Sequence, residues 1–301
     1  MAALILLLLS LAPAFPRDAG WTAEAFTPAG SFTSGVEGPA CDAAGHLYAV
    51  SFGREGTIGK VAPDGRSAVF AVMPDGGRAN GLRFDSQGYL IAADYVNHIV
   101  HRIDPKTGRF LENLTADWKG PVFLQPNDLG IASDDTIYFS DPDWKSRTGG
   151  GRIFMITPPP HRRTVLLDED LATPNGITVS PDDRRVYVGQ SHARNVLVYE
   201  RRIDGTLHGR RVHIDFAAAG IEGIPDGIRC DVEGNLWVTM VRLGRTLIVR
   251  PGGTLDPRYV QSLGDSPANI TFCGADGRTV YVTEKQHGRI ERTRAPHRGV
   301  R

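Results

Sequence analysis

Apolar residues recur along this chain in short runs, and the runs come in sets. One set reads Gly81-Leu82-Arg83-Phe84, the turn Asp85-Ser86-Gln87-Gly88, then Tyr89-Leu90-Ile91-Ala92-Ala93. Another reads Gly227-Ile228-Arg229-Cys230, then Asp231-Val232-Glu233-Gly234 and Asn235-Leu236-Trp237-Val238-Thr239. Asp can bond its own downstream backbone and Gly accepts positive φ, so each tetrad is a turn and each set predicts a β-hairpin. A third β-prone run follows, such as Ile99-Val100-His101-Arg102-Ile103, and then a weaker fourth, such as Thr164-Val165-Leu166-Leu167. No helical periodicity of useful length interrupts the pattern.

Every set is led by an acid or an asparagine: Glu37, Asn80, Asn127, Asn175, Asp226 and Asn269, spaced 43 to 51 residues apart. Four antiparallel strands repeated at that step predict an all-β fold, a six-bladed β-propeller forming one domain over residues 21–301. The sixth repeat stops after its third strand, and a bare sheet edge invites association. The segment Ala23 to Pro28 is free to supply the missing strand, so an N-terminal strand is expected to close the ring.

The first strand of each propeller blade lines the central channel, which would put the six leading residues in one ring. Asparagine before glycine is a common turn pair, but turn chemistry does not explain Glu37 and Asp226 in the same slot. A ring of amide and carboxylate oxygens with two negative charges suits one hard divalent cation, most simply calcium, with magnesium or manganese as alternatives. No His or Cys stands in the ring, which argues against a dedicated zinc site, although zinc could still bind there. Second strands run antiparallel to the first, so the loops after them surround the ring's mouth. Their mixture of polar and aromatic residues fits a small-molecule pocket, with Asp141 and Trp144 the preferred substrate contacts.

The chain has 34 basic and 34 acidic side chains, a balance that gives no reason to expect nucleic acid or an anionic membrane as a partner. No protein partner is implied. The apolar stretch Ala2 to Phe15 is too short to span a bilayer, and Ala12-Pro13-Ala14 supplies small residues for cleavage. Residues 1–20 are therefore read as a signal peptide, although no Lys or Arg precedes the apolar run. The expected location is periplasmic or extracellular, or cytoplasmic if the segment is not a signal. No other segment approaches transmembrane length. Cys41, Cys230 and Cys273 each lie four residues after a leader. An odd number at wide spacing is not a disulfide framework, so all three are expected to be small buried apolar side chains.

Taken in order, Val36-Glu37-Gly38-Pro39, Gln125-Pro126-Asn127-Asp128, Tyr138-Phe139-Ser140-Asp141-Pro142, Pro174-Asn175-Gly176-Ile177 and Ile224-Pro225-Asp226-Gly227 resemble the senescence marker protein/gluconolactonase (regucalcin-like) family. That family shares its propeller with diisopropylfluorophosphatase and, more distantly, paraoxonase. The resemblance runs from about residue 30 to about residue 290 and implies a divalent cation in the channel and hydrolysis of lactones or related esters. On it, Glu37, Asn175 and Asp226 match metal-binding residues. Asn127 matches an asparagine that ligates the metal or touches substrate. Asp226 also matches the residue usually proposed as catalytic base or nucleophile. Asn80 and Asn269 are left as substrate contacts. Some sugar-lactonase members carry an arginine where this chain has Gln125, which sets it apart from them.

The expected chemistry is attack of water on a lactone carbonyl polarised by the cation, with Asp226 removing a proton and a hydroxy acid as product. Two other readings share the scaffold. One is a hydrolase of phosphotriesters or other esters at the same metal; the other is a ligand-binding propeller without enzymatic activity.

Overall fold

The computed structural model describes residues 20–300, so the segment read as a signal peptide lies outside the described residues except for Gly20. Six antiparallel sheets follow one another along the chain. Blade one is built from Ala40–Cys41, Leu47–Val50, Thr57–Val61 and Ser67–Val72, and the later blades repeat that meander. First strands of successive blades pack side by side, and the sixth meets the first, so the ring is closed. Among the described residues there is no α-helix, and one 3-10 turn occurs at Pro74–Gly76. No helix of the described residues is long and apolar enough to cross a membrane.

The missing outer strand of blade six comes from the N-terminal segment, as the pattern requires. Glu24–Ala25 pairs antiparallel with Arg292 and Glu291, and the Phe26 and Thr27 N–H groups donate to the Ile290 carbonyl. Just before it, Trp21–Thr22 pairs parallel with Val260 and Gln261 of blade five. One short stretch thus straps two blades.

Second strands have both faces buried, and their period-two alternation serves two interfaces at once. Tyr48 and Val50 pack toward blade two with Leu82, Leu90 and Ile103. Their neighbours Leu47 and Ala49 pack the other way, against Tyr281 and Ile290 of blade six. The same interface carries a covalent bond, because Cys41 and Cys273 form a disulfide with Cα atoms 5.7 Å apart, across a separation of 232 residues. This corrects the expectation of three buried thiols; Cys230 is the free, buried cysteine among the described residues. Ring closure is the reason. It makes the first and last repeats neighbours, so equivalent positions in them come together.

Strand pairing slips at the leading residues. Register breaks fall between Ala79 and Leu82, Pro174 and Ile177, Pro225 and Ile228, and Pro267 and Asn269. Such a break re-aims the side chain it contains. The glycine after a leader has a separate task. A Cβ on Gly38 would stand 2.0 Å from the Asn80 carbonyl oxygen, and one on Gly176 would stand 2.3 Å from that of Asp226. The Asn-Gly and Asp-Gly pairs are therefore close-approach sites between neighbouring innermost strands rather than turns.

Two measurements check this architecture. Reduction, or the pair Cys41→Ser and Cys273→Ser, is expected to cost about 2–4 kcal/mol; unchanged thermal unfolding with and without reductant would contradict a ring held shut by that bond. Gly176→Ala is expected to lose about 1–3 kcal/mol in urea unfolding from overpacking, whereas wild-type stability would show that the strands have room.

Candidate active site

The channel holds two groups of charges. In the first, Glu37 and Asp226, both buried, are bridged by one ammonium. Lys285 Nζ lies 2.7 Å from Glu37 Oε1 and 3.7 Å from Asp226 Oδ2. Burial first, and then the charge of Glu37, push the Asp226 carboxyl up to about 7, against the pull of Lys285 and a hydrogen bond with Asn175. For Lys285 burial works the other way, but the two carboxylates outweigh it and hold its pKa above the ordinary lysine value. Asn175 is fixed in turn, since its Nδ2 donates to Ser191 Oγ at 3.1 Å and Ser191 Oγ donates to the Pro225 carbonyl at 2.9 Å.

The second group centres on Asp128, the residue that stands where blades one, two, four and five have glycine. Its carboxylate accepts from Arg83 Nη2 at 3.1 Å, from Arg229 Nη1 at 3.1 Å and from the Leu129 N–H at 2.8 Å. Burial pushes this carboxyl up to about 6 in spite of Arg83. Asn269 belongs here: its Oδ1 accepts from Arg229 Nη2 at 3.2 Å and from the Ile270 N–H at 2.8 Å. With the three carboxylates ionised, Glu37, Asp128 and Asp226 face Lys285, Arg83 and Arg229, so these groups are formally neutral together.

Not every expected residue is free for a ligand. Glu37, Asp226 and Asn175 converge through Lys285 and the Asn175–Asp226 bond. Asn127 takes the same ring position in blade three, and its Oδ1 is buried without a hydrogen-bond partner. Asn80 sits in the slipped segment of blade two, its carbonyl against Gly38. The Asn269 side chain is engaged with Arg229, so it braces the Asp128 group. Asp141 is fully buried, and its oxygens accept from the Gln125 N–H at 2.7 Å and from Arg152 Nη2 at 2.6 Å. The post it fills is repeated: Asp94 accepts from the Arg78 N–H at 3.0 Å and Gln190 from the Ala172 N–H at 2.8 Å. In all three blades this side chain ties down the segment leading into the ring residue. Trp144 is 42% exposed, its ring edge-on to His192 at 6.3 Å.

Lys285 opens the loop that follows the second strand of blade six, and the sequence pattern does not single it out. The signal was the slot itself, the residue after each second strand: Ser51, Tyr95, Pro142, Ser191, Arg242 and Lys285. In blades two, four and six that residue's N–H donates to the carbonyl of Arg78, Thr173 or Ser266, in each case at 3.0 Å. Ser191 touches Asn175 from this slot, and Lys285 reaches further from it.

Among the described residues no three His, Cys, Asp or Glu side chains are grouped to hold a metal ion. A cation in the ring would rest on two carboxylates and on amide oxygens, an all-oxygen set of the kind calcium and magnesium take. The unpartnered Asn127 Oδ1 fits such an ion, because a buried acceptor left without a donor or cation is costly. Lys285, however, already holds both carboxylates.

Comparison with known proteins agrees with the fold. The chain is 28% identical over 221 residues to a gluconolactonase of Zymomonas mobilis, covering 68% of this chain and 60% of that protein. It is 27% identical over 237 residues to a 6-deoxy-6-sulfogluconolactonase of Pseudomonas putida, covering 78% of this chain and 77% of that protein. The crystal structure of a calcium-binding protein, regucalcin, from Agrobacterium tumefaciens superposes with a TM-score of 0.77 over 94% of this chain and 96% of that one, at 20% identity. Residues 115–286, more than half the chain, match the SMP-30/Gluconolactonase/LRE-like region, and the chain belongs to that family.

Proposed function

We propose that this chain is a hydrolase that opens lactones or closely related esters at the mouth of the channel, with Asp226 as base and a divalent cation, most simply calcium, as cofactor. The observation that carries the reading is the buried pair Glu37 and Asp226, held within reach of one ammonium; the unpartnered amide oxygen of Asn127, the leading residue of blade three, supports it. Two like charges buried together are costly unless cations meet them, and such pairs cluster at functional sites. The names of the gluconolactonase relatives support a lactone as the substrate class.

Glu37, Asn127, Asn175 and Asp226 would hold the cation, which when bound would supply Lewis acidity toward the carbonyl oxygen. The protein's own contribution is orientation and proton transfer. Asn175, clamped by Ser191, fixes the Asp226 carboxylate. Burial and the Glu37 charge raise the proton affinity of Asp226, the property a base needs. Water oxygen adds to the carbonyl carbon, its proton passes to Asp226, and the ring C–O bond breaks. The proton then returns to the departing alkoxide, leaving the hydroxy acid. Asp141 acts from a distance, by holding the segment that carries Asn127 through the Gln125 N–H. Trp144 offers an exposed aromatic face beside His192 for the body of the substrate. We also propose an oxidising compartment for the protein, as expected for an exported chain; the Cys41–Cys273 bond supports it.

The test is hydrolysis followed by proton release on a lactone panel and, in parallel, a phosphotriester panel, before and after chelation. Turnover of lactones is expected to vanish with the metal and return with calcium. Asp226→Asn and Glu37→Gln are expected to fold with little change in melting temperature and to lose about a hundredfold or more in kcat/KM. Full rates in the stripped protein or in either variant would overturn the reading, and faster phosphotriester turnover would replace the substrate class.

A further inference from the structure

We propose that Lys285 is the channel's built-in cation: its ammonium stands between Glu37 and Asp226 in the metal-free protein, and a divalent ion enters only by displacing it. The inference rests on the cation site proposed above and concerns what controls entry to it.

Three observations carry it. Lys285 Nζ sits on the two ring carboxylates at 2.7 and 3.7 Å, the same groups a metal ion would use. With the three carboxylates ionised, the charges balance without a metal, because Glu37, Asp226 and Asp128 face Lys285, Arg83 and Arg229. Adding a divalent ion leaves a surplus of two positive charges in a buried space, and swinging one ammonium into water reduces it to one. Arg83 and Arg229 are poorly placed for that exchange, since both are held on the fully buried Asp128 carboxylate and their side chains are only 13% and 9% exposed.

The third observation is mechanical. The Lys285 backbone is pinned while its side chain has a way out. Its N–H donates to the Ser266 carbonyl at 3.0 Å, and Glu284, fully buried, accepts from the Gln286 and His287 N–H groups at 2.9 Å each. The side chain is nevertheless 31% exposed, so the ammonium can leave for solvent without moving the loop. A lysine is suited to that move, being a strongly hydrated charge on a flexible stem, but it gives up both carboxylates in making it. The lysine therefore sets a threshold for metal affinity and keeps the carboxylates paired below it.

Calorimetric titration of calcium chloride into the stripped full chain and into Lys285→Met tests this directly. Lys285→Met is expected to bind calcium about tenfold more tightly or better, and adding Glu37→Gln to it is expected to remove the gain. Equal or weaker binding by Lys285→Met overturns the role of the lysine while leaving the cation site standing. Absence of binding by both proteins overturns both. A readout on the unmodified protein stands beside these: acetylation of Lys285 by acetic anhydride, followed by mass spectrometry, is expected to be slow without metal and to accelerate in calcium. A rate that calcium does not change contradicts displacement.

Discussion

Two carboxylates buried across one channel repel each other, and much of the site's organisation answers that repulsion. At an effective dielectric near 20, two unit charges 4 Å apart interact by about 4 kcal/mol, a large fraction of a domain's net stability. Glu37 and Asp226 share the Lys285 ammonium, and Asp128 is met by two guanidinium groups. Asp226 still carries a raised proton affinity, from burial first and then from the Glu37 charge, which Lys285 offsets in part. That residual tension is what a base or a cation ligand exploits.

The ring keeps these groups from relaxing apart. Interblade cores, the N-terminal strap over blades five and six, and the Cys41–Cys273 bond all act on closure. Close approach at Gly38 and Gly176 then brings innermost strands together so that the leaders share one space. Hydroxyls complete the work: Ser140 Oγ donates to the Asn175 carbonyl at 2.6 Å, and Thr239 Oγ1 to that of Ala268 at 2.7 Å. Each is a second-strand side chain that ties its blade to the next leader or to the residue just before it.

The propeller was legible because its signals are local and repeated. Asp-x-x-Gly turns, alternating runs and a leader at a regular step needed no knowledge of tertiary contacts. What stayed hidden depends on closure or on reach. Cys41, Cys230 and Cys273 hold equivalent positions in repeats one, five and six, so Cys273 has a candidate partner on either side, and only the geometry chooses Cys41. Asp141 looked like a loop acid at the mouth, yet Asp94 and Gln190 fill the same post, which marks a repeated structural tie. Lysine in a surface loop is ordinary, so the sequence alone does not single out Lys285. Its importance lies in a side chain that turns inward from a slot that serine, tyrosine, proline and arginine fill elsewhere.

The proposed cation site formed by the ring oxygens has two alternative occupants, an ammonium and a metal ion. Crystal structures of the full chain grown without metal and in saturating calcium test it most directly. An ion held by Glu37, Asn127, Asn175 and Asp226 is expected in calcium, with Lys285 turned out to solvent, and the Lys285 bridge is expected to return without it. A Lys285 bridge that persists in saturating calcium, with no ion in the ring, would contradict it.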